Sequence, residues 1–548
     1  MKTAIIVPLG PVGTVPNGAF GISVFLKISG EYMEFPELWK KIQIQKRYAI
    51  ISTFLIGLFT HGTMMFKKLS KFDDIQFLFT GGRTFIVGRW MLYVAEKLKN
   101  LFFQDSIFGL PAVNTVFSFF CVAAVVCIII ELFEIKSVNL SILLAGIFIT
   151  IPVTACTYGY MFNAQFYFFA FFCSVLGAYL VLTKNQWYLI LLGILSMTCS
   201  VGIYQAYIPM SVCIFLFGLI KRFSRAETKQ DRLMVLIRTG IIAVSCAAFL
   251  GLNTIILNFF LRISNTEMEG FKGIGYATKI PLSLYFERAL FAYKEFFLPQ
   301  RGSFYDTFPG SSRTLYQFTI LLTVIFFVVY LFTIAKKSKL NAVIIFILGL
   351  FVPLAVNFIF VMVDETYCYV MMLYGYAMHF VFLVWIFEQI KDTLALSVKK
   401  TAETLVIAAL CLIVITFGRF DNACYLRLEM IQAQTGRFYT SLITRMQDTE
   451  GYRVSMKVAY IGNPQILEED TTIPEIQELN HIHVSPYWGF RESLPTEPWR
   501  TFMEQWGLFK AWEADPKDFE NLPEVQAMPS YPNKGSIKVI NDTLVVKF

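Results

Sequence analysis

Read for polarity, the chain is a series of long apolar runs separated by short charged stretches. Eleven runs stand out, at 48–66, 112–133, 140–160, 164–183, 187–203, 206–220, 234–260, 315–335, 341–363, 369–388 and 402–418. About 18 or more apolar residues in helical form match the hydrocarbon thickness of a bilayer. Lipid offers the backbone no partner but itself, so each run is predicted as a helix. The 187–220 stretch reads as two helices around "GIYQAYIP" (202–209), where Tyr204 and Gln205 are polar and Pro209 suits a helix start. Beyond residue 419 the pattern changes. Residues 423–448 read as helix, "VSMKVAYIG" (454–462) as a strand and "PWRTFMEQWG" (498–507) as a short helix. "SIKVI-ND-TLVVKF" reads as a hairpin turning at Asn541–Asp542. The predicted fold class is an α-helical polytopic membrane protein with a small C-terminal α/β domain.

Composition agrees. Of 548 residues 56% are hydrophobic and 16% charged, with a mean hydropathy of +0.58; soluble domains carry about 25% charged residues. Lysine and arginine set the orientation. With the N-terminus inside, the inner loops hold Lys136, Lys184, the cluster Lys221 to Arg232, Lys336 to Lys339, and Lys391 to Lys400, while the short outer loops near 161–163, 204–205 and 364–367 hold none. That divides the chain into a cytoplasmic segment 1–47 with an interfacial helix from residue 36, a membrane domain 48–418, and an extracytoplasmic α/β domain 419–548. Residues 1–30, broken by Pro8, Pro11 and Pro16, read as poorly structured, and Met33 stands as a candidate start. Most of the ten cysteines lie in apolar runs. Cys368 and Cys424 fall outside them, which leaves a bridge between those two open. No Cys/His spacing resembles a metal site, and "HIH" (481–483) reads as an ordinary loop. Nothing points to nucleic acid.

Two long outer loops, 67–110 and 261–314, break the charge rule: both are rich in cations. Long loops cross membranes regardless of charge, so a solvated face explains them as well as an anion site does. The first loop opens with Asp73 and Asp74 in "KFDDIQFLFTGGRTFIVGRW" (71–90). It ends in "GRWMLYVAEKLKNLF" (88–102), whose Trp90, Met91, Val94, Ala95, Leu98, Leu101 and Phe102 follow helical spacing. Arg89, Glu96, Lys97, Lys99 and Asn100 take the opposite face, which predicts a helix lying flat on the membrane. An acid pair beside it is a helix cap or loop feature, or it is a general base that takes a proton from an attacking hydroxyl.

The paired acid after the first transmembrane helix resembles GT-C glycosyltransferases. "FDD" followed by "GRW" is similar, more narrowly, to the bacterial type II glucosyltransferases of serotype conversion. "GYMFNAQF" (159–166), "GIYQAY" (202–207) and the closing "MPSYPNKGSIKVINDTLVVKF" (528–548) resemble later segments of that family, so the resemblance runs from about residue 48 onward. It implies transfer of a sugar, glucose by the family's name, from a polyprenyl-phosphate carrier to a cell-surface polysaccharide. The reaction would occur on the outer side of the bacterial cytoplasmic membrane, with Asp73 and Asp74 as the catalytic acids. On chemical grounds Arg83, Arg89, Arg288 and Arg301 are assigned to the donor phosphate, because cations there would stabilise the leaving group. Asn163, Gln165, Tyr204 and Gln205 are the candidate substrate-binding residues. The expected partners are the lipid-linked sugar, the polysaccharide acceptor and the bilayer. No cofactor is expected, with a divalent cation left open. The alternatives are a polysaccharide polymerase or ligase, and a lipid-linked sugar transporter. A transporter would show internal repeats and mid-membrane charges, and the apolar runs are nearly free of charge.

Overall fold

The computed structural model describes residues 25–28, 31–34, 39–67, 69, 84–103, 110–268, 281–300, 306–464, 498–507, 509–510 and 512–548. Among them seven helices are long and apolar enough to cross a membrane. Three are α1 (Ile44–Phe66), α3 (Pro111–Phe133) and α6 (Met161–Thr183). The others are Gln205–Arg225, which contains α8 (Ile208–Arg225), then α9 (Lys229–Ser264), α11 (Ser312–Lys337) and α16 (Leu396–Gln447). An eighth span forms if α4 (Val138–Thr150) and α5 (Pro152–Tyr158), bent by 41° at Ile151, count as one. The rest of the eleven runs are shorter or broken: α7 (Trp187–Ile203) and α12 (Lys339–Leu350) are short apolar helices.

The breaks have local causes. Pro152 removes a backbone donor where the 140–160 run bends. Pro353 and the turn at Asn357 divide the 341–363 run into α12, α13 (Val352–Val356) and α14 (Ile359–Met362). The 369–388 run becomes regular helix only at α15 (Tyr376–Ile390). Between them, residues 363–375 form two 3-10 turns. The turn expected at 202–209 is present, with a 3-10 turn at Gln205–Tyr207 and Pro209 in the first turn of α8.

Small residues bring the helices together. Gly177 of α6 and Gly193 of α7 face each other so closely that an added Cβ at Gly177 would lie 2.6 Å from the Gly193 carbonyl oxygen. Such backbone approach is how helices pack where lipid supplies no hydrophobic drive. The ends of the bundle are fixed by contacts. Lys46 at the start of α1 pairs with Glu131 at the end of α3, at 2.7 Å. At the other end Asn114, near the start of α3, donates to the carbonyl of Met161 at 2.8 Å. We call these the Ile44 end and the Phe66 end.

Helix α16 runs for 52 residues, about 78 Å at 1.5 Å per residue, so the expected division at 418/419 falls inside one continuous helix. Its last turns carry Tyr439, Leu442, Ile443 and Met446, which are buried with Tyr460 and Leu544 of the C-terminal sheet and with Trp499 of the short helix Pro498–Trp506. That sheet has the order β4 (Trp512–Glu513), β3 (Lys457–Ile461), β6 (Thr543–Lys547), β5 (Ile537–Ile540). The β5–β6 hairpin turns at Asn541 and Asp542, with φ of 47° and 59°, the left-handed pair that a two-residue turn matching strand twist requires.

Three expectations are corrected. Phe25–Ile28 and Glu31–Glu34 pair as an antiparallel hairpin, β1–β2, inside and beyond the stretch read as unstructured; aromatic and β-branched residues favour that extended backbone. The entry helix is broken after residue 41, and α1 begins at Ile44, so Lys46 and Arg47 lie within α1. Cys368 and Cys424 are both buried and form no disulfide bridge with each other.

Candidate active site at the Phe66 end

Helix α2 (Trp90–Phe103) docks on the bundle instead of lying with its polar face in solvent. Leu92 is fully buried, Trp90 is 6% exposed and Glu96 is 6% exposed, while Leu98 and Leu101 are open at 48% and 75%. The docking point is Gly202, where an added Cβ would meet Trp90 Cε2 at 2.6 Å and Met91 Cβ at 2.8 Å. Trp90 Nε1 donates to Asn253 Oδ1 at 2.8 Å and ties α2 to α9. Arg89 and Glu96 are seven residues apart, two helical turns, so they share a face. That face turns inward.

The inward face meets the start of α6 and the 204–207 turn. Arg89 Nη1 donates to the Tyr167 hydroxyl at 3.2 Å, and its guanidinium stands 5.0 Å above the Tyr204 ring. The rings of Tyr167 and Tyr204 are 4.9 Å apart. Asn163 hydrogen-bonds the Glu96 carboxylate, leaving Glu96 Oε2 and Asn163 Oδ1 without partners among the described residues. Gln165 donates to Phe162 O at 3.1 Å, and its Oε1 has no partner either, nor has the Tyr204 hydroxyl. Gln205 is half-buried in the turn. Burial pushes the Glu96 carboxyl up to about 7, against the Asn163 hydrogen bond and the charges of Lys99, Lys97 and Arg89. Such a group can hold or release a proton near neutrality, beside a guanidinium suited to an anion.

The structure therefore brings four of the expected residues together: Arg89, Asn163, Tyr204 and, beside it, Gln205. Asp73, Asp74, Arg83 and Arg301 lie outside the described residues. Arg288 is on α10 (Leu282–Phe297) and pairs with Asp364 at 3.6 Å. Asn357 donates to Ala292 O at 3.0 Å, so α10 is docked on the 352–376 stretch at two points. That stretch also reaches the first cluster, since Cys368 lies within electrostatic range of Tyr204. Arg313 is already engaged, with Asp306 at 2.9 Å and Gln300 O at 3.0 Å. Among the described residues no three His, Cys, Asp or Glu side chains are grouped to hold a metal.

Sequence reasoning missed Glu96 and Tyr167. Glu96 was placed with Lys97 and Lys99 on a solvated face. The signal was the Arg89, Leu92, Glu96 spacing, which sets an apolar residue between two charges on one stripe and so marks a protein-facing side. A second buried acid, Asp421 of α16, is fully buried with neither oxygen hydrogen-bonded among the described residues.

A many-helix membrane protein with a buried cluster of charged and polar side chains at one end of its bundle is the class that fold and site define. Residues 62–382, more than half of the chain, match the glucosyl transferase GtrII family, and the chain belongs to that family. Comparison with curated proteins and with solved structures gave no match. The family supports glucosyl transfer by a membrane protein, and the cluster at Arg89, Glu96, Asn163, Tyr167 and Tyr204 falls wholly within the matched residues.

Proposed function

We propose that the protein is a GT-C glycosyltransferase that moves glucose from a polyprenyl-phosphate carrier to a hydroxyl of a cell-surface polysaccharide. The Phe66 end is its extracytoplasmic, catalytic end. The observation that carries this reading is the convergence of Arg89, Tyr167, Tyr204, Asn163 and Glu96 beside the first long loop of a GtrII family member. The lysine and arginine asymmetry of the loops supports the orientation.

The chemistry balances simply. The acceptor oxygen forms a bond to the anomeric carbon while the bond from that carbon to the phosphate oxygen breaks. The electron pair leaves with the polyprenyl phosphate, and the hydroxyl proton passes to a carboxylate, for which Asp73 or Asp74 is proposed. Arg89 faces the developing phosphate charge, and Arg83, Arg288 and Arg301 are proposed to add to that field. Asn163, Gln165, Tyr204 and Gln205 are proposed to contact substrate. No metal is required by this scheme, because fixed cations do the same electrostatic work.

The test is transfer of labelled glucose from a polyprenyl-phosphate glucose by the purified protein. A positioned base contributes about 10²–10⁴-fold, so Asp73→Asn or Asp74→Asn should lose at least that much at equal folded protein. Full activity in both variants would remove the base from the mechanism.

A further inference from the structure

Resting on the glucosyl-transfer reading, we infer that Glu96 and Asn163 form a pair that binds adjacent hydroxyls of a hexose and so selects the sugar in the site. Each is more than nine-tenths buried, at 6% and 4% exposure, and each keeps one oxygen acceptor without a partner among the described residues. They come from different elements, α2 and α6, yet their side chains are hydrogen-bonded to each other. Two neighbouring acceptors are thereby fixed in position. An unsatisfied buried acceptor costs about 1–3 kcal/mol, and a ligand that brings two adjacent donors removes that cost twice.

The surroundings choose among ligands with donors. A metal cation is disfavoured, because Arg89, Lys97 and Lys99 already surround the carboxylate with positive charge. A phosphate is disfavoured at the carboxylate itself and belongs at Arg89. Neutral hydroxyls fit both acceptors. Arg89 and Glu96 are two turns apart, about 10 Å along the helix, so a phosphate at one and a hydroxyl at the other are separate contacts. The hexose is that of the donor or that of the acceptor.

The measurement is steady-state transfer with polyprenyl-phosphate glucose and with its galactose epimer, for wild type, Glu96→Gln and Asn163→Ala, each with its melting curve. Sites built to hydrogen-bond a hydroxyl discriminate strongly against a substrate that misplaces it. The expected result is a KM at least tenfold higher for one substrate and a narrowed glucose-to-galactose preference, at a melting temperature no lower than that of wild type. A raised donor KM assigns the pair to the donor sugar, and a raised acceptor KM to the acceptor sugar. Unchanged KM and preference in both variants would overturn the inference and leave glucosyl transfer standing, as would losses in kcat that only follow a lowered melting temperature. A wild-type protein that transfers no glucose would sink the transfer reading itself.

Discussion

At the Ile44 end Glu134 is gripped by Arg225 through both carboxylate oxygens, at 2.6 and 3.0 Å, and by Lys221 at 2.9 Å. At the Phe66 end Glu96 is buried with one hydrogen bond from Asn163 and one bare oxygen. The two carboxyls move in opposite directions: the Arg225 guanidinium holds Glu134 down at about 2, and burial pushes Glu96 up to about 7. The same contrast runs through their neighbours. Arg222 donates to Leu182 O, Arg238 to Val181 O and Lys184 O, and Glu131 accepts from both Lys46 and the Tyr179 hydroxyl. These charges tie helix ends together. At the Phe66 end, Asn163, Gln165 and Tyr204 each leave a buried polar atom unmatched. Buried polar groups in folded proteins are nearly always satisfied, so a cluster of exceptions around a buried carboxyl marks the end that waits for a ligand, and the ion-paired carboxylates Glu131 and Glu134 mark the end that holds the scaffold.

Substitutions can break this contrast, and the largest effect is expected at Gly202. Gly202→Val forces Trp90 and Met91 away from α7 and shifts Arg89 and Glu96 together. A displacement of about 1 Å costs roughly 10²-fold in rate, and overpacking costs about 1–3 kcal/mol of stability. Transfer assays and melting curves should show both losses. At Tyr204 the ring, not the hydroxyl, supports Arg89. Tyr204→Ala should therefore cost roughly tenfold in transfer, the equivalent of a buried cation–π contact of about 1–2 kcal/mol, and Tyr204→Phe should cost much less. Equal losses in the two would move the role to the hydroxyl.

A smaller effect concerns pH. Burial raises Glu96 from its ordinary value of 4.5 to about 7. Between those values the folded chain keeps a proton that the unfolded chain has lost, so this group makes stability fall as pH rises through that window, levelling off above it. The full cost is on the order of 3 kcal/mol, at about 1.4 kcal/mol per pH unit. Glu96→Gln should match wild type in melting temperature near about pH 5 and exceed it near about pH 8. A constant difference across that range would show that Glu96 does not titrate there. The smallest effect belongs to the paired end: Arg225 is half exposed, and breaking such a pair costs about 0–1 kcal/mol, so Arg225→Ala should leave transfer unchanged and the melting temperature nearly so.

Much of this was legible in the chain. The apolar runs located the helices, and Asn541–Asp542 located the hairpin because only certain residues tolerate its positive φ angles. The unbroken passage of α16 through residue 419 was hidden, since its polar half is stabilised by packing on a sheet whose strands come later in the chain. The breaks at Pro152 and Pro353 were written in the prolines, but apolar continuity across them masked the short helices. Arg89, Asn163 and Tyr204 were visible as short polar marks beside apolar runs. Glu96 was not, because a two-faced reading of α2 allows only lipid and water, and the third neighbour, the bundle itself, shows only in the fold.

The central claim is that the unpaired, polar Phe66 end carries out transfer and the paired Ile44 end does not. One measurement tests it most directly: glucose transfer from polyprenyl-phosphate glucose by Arg89→Ala and by Arg225→Ala, at matched amounts of folded protein. Loss of a preorganised electrostatic contact typically costs about 10²–10³-fold. The account predicts a loss of that size for Arg89→Ala and wild-type rates for Arg225→Ala. Equal rates in the two variants would contradict it.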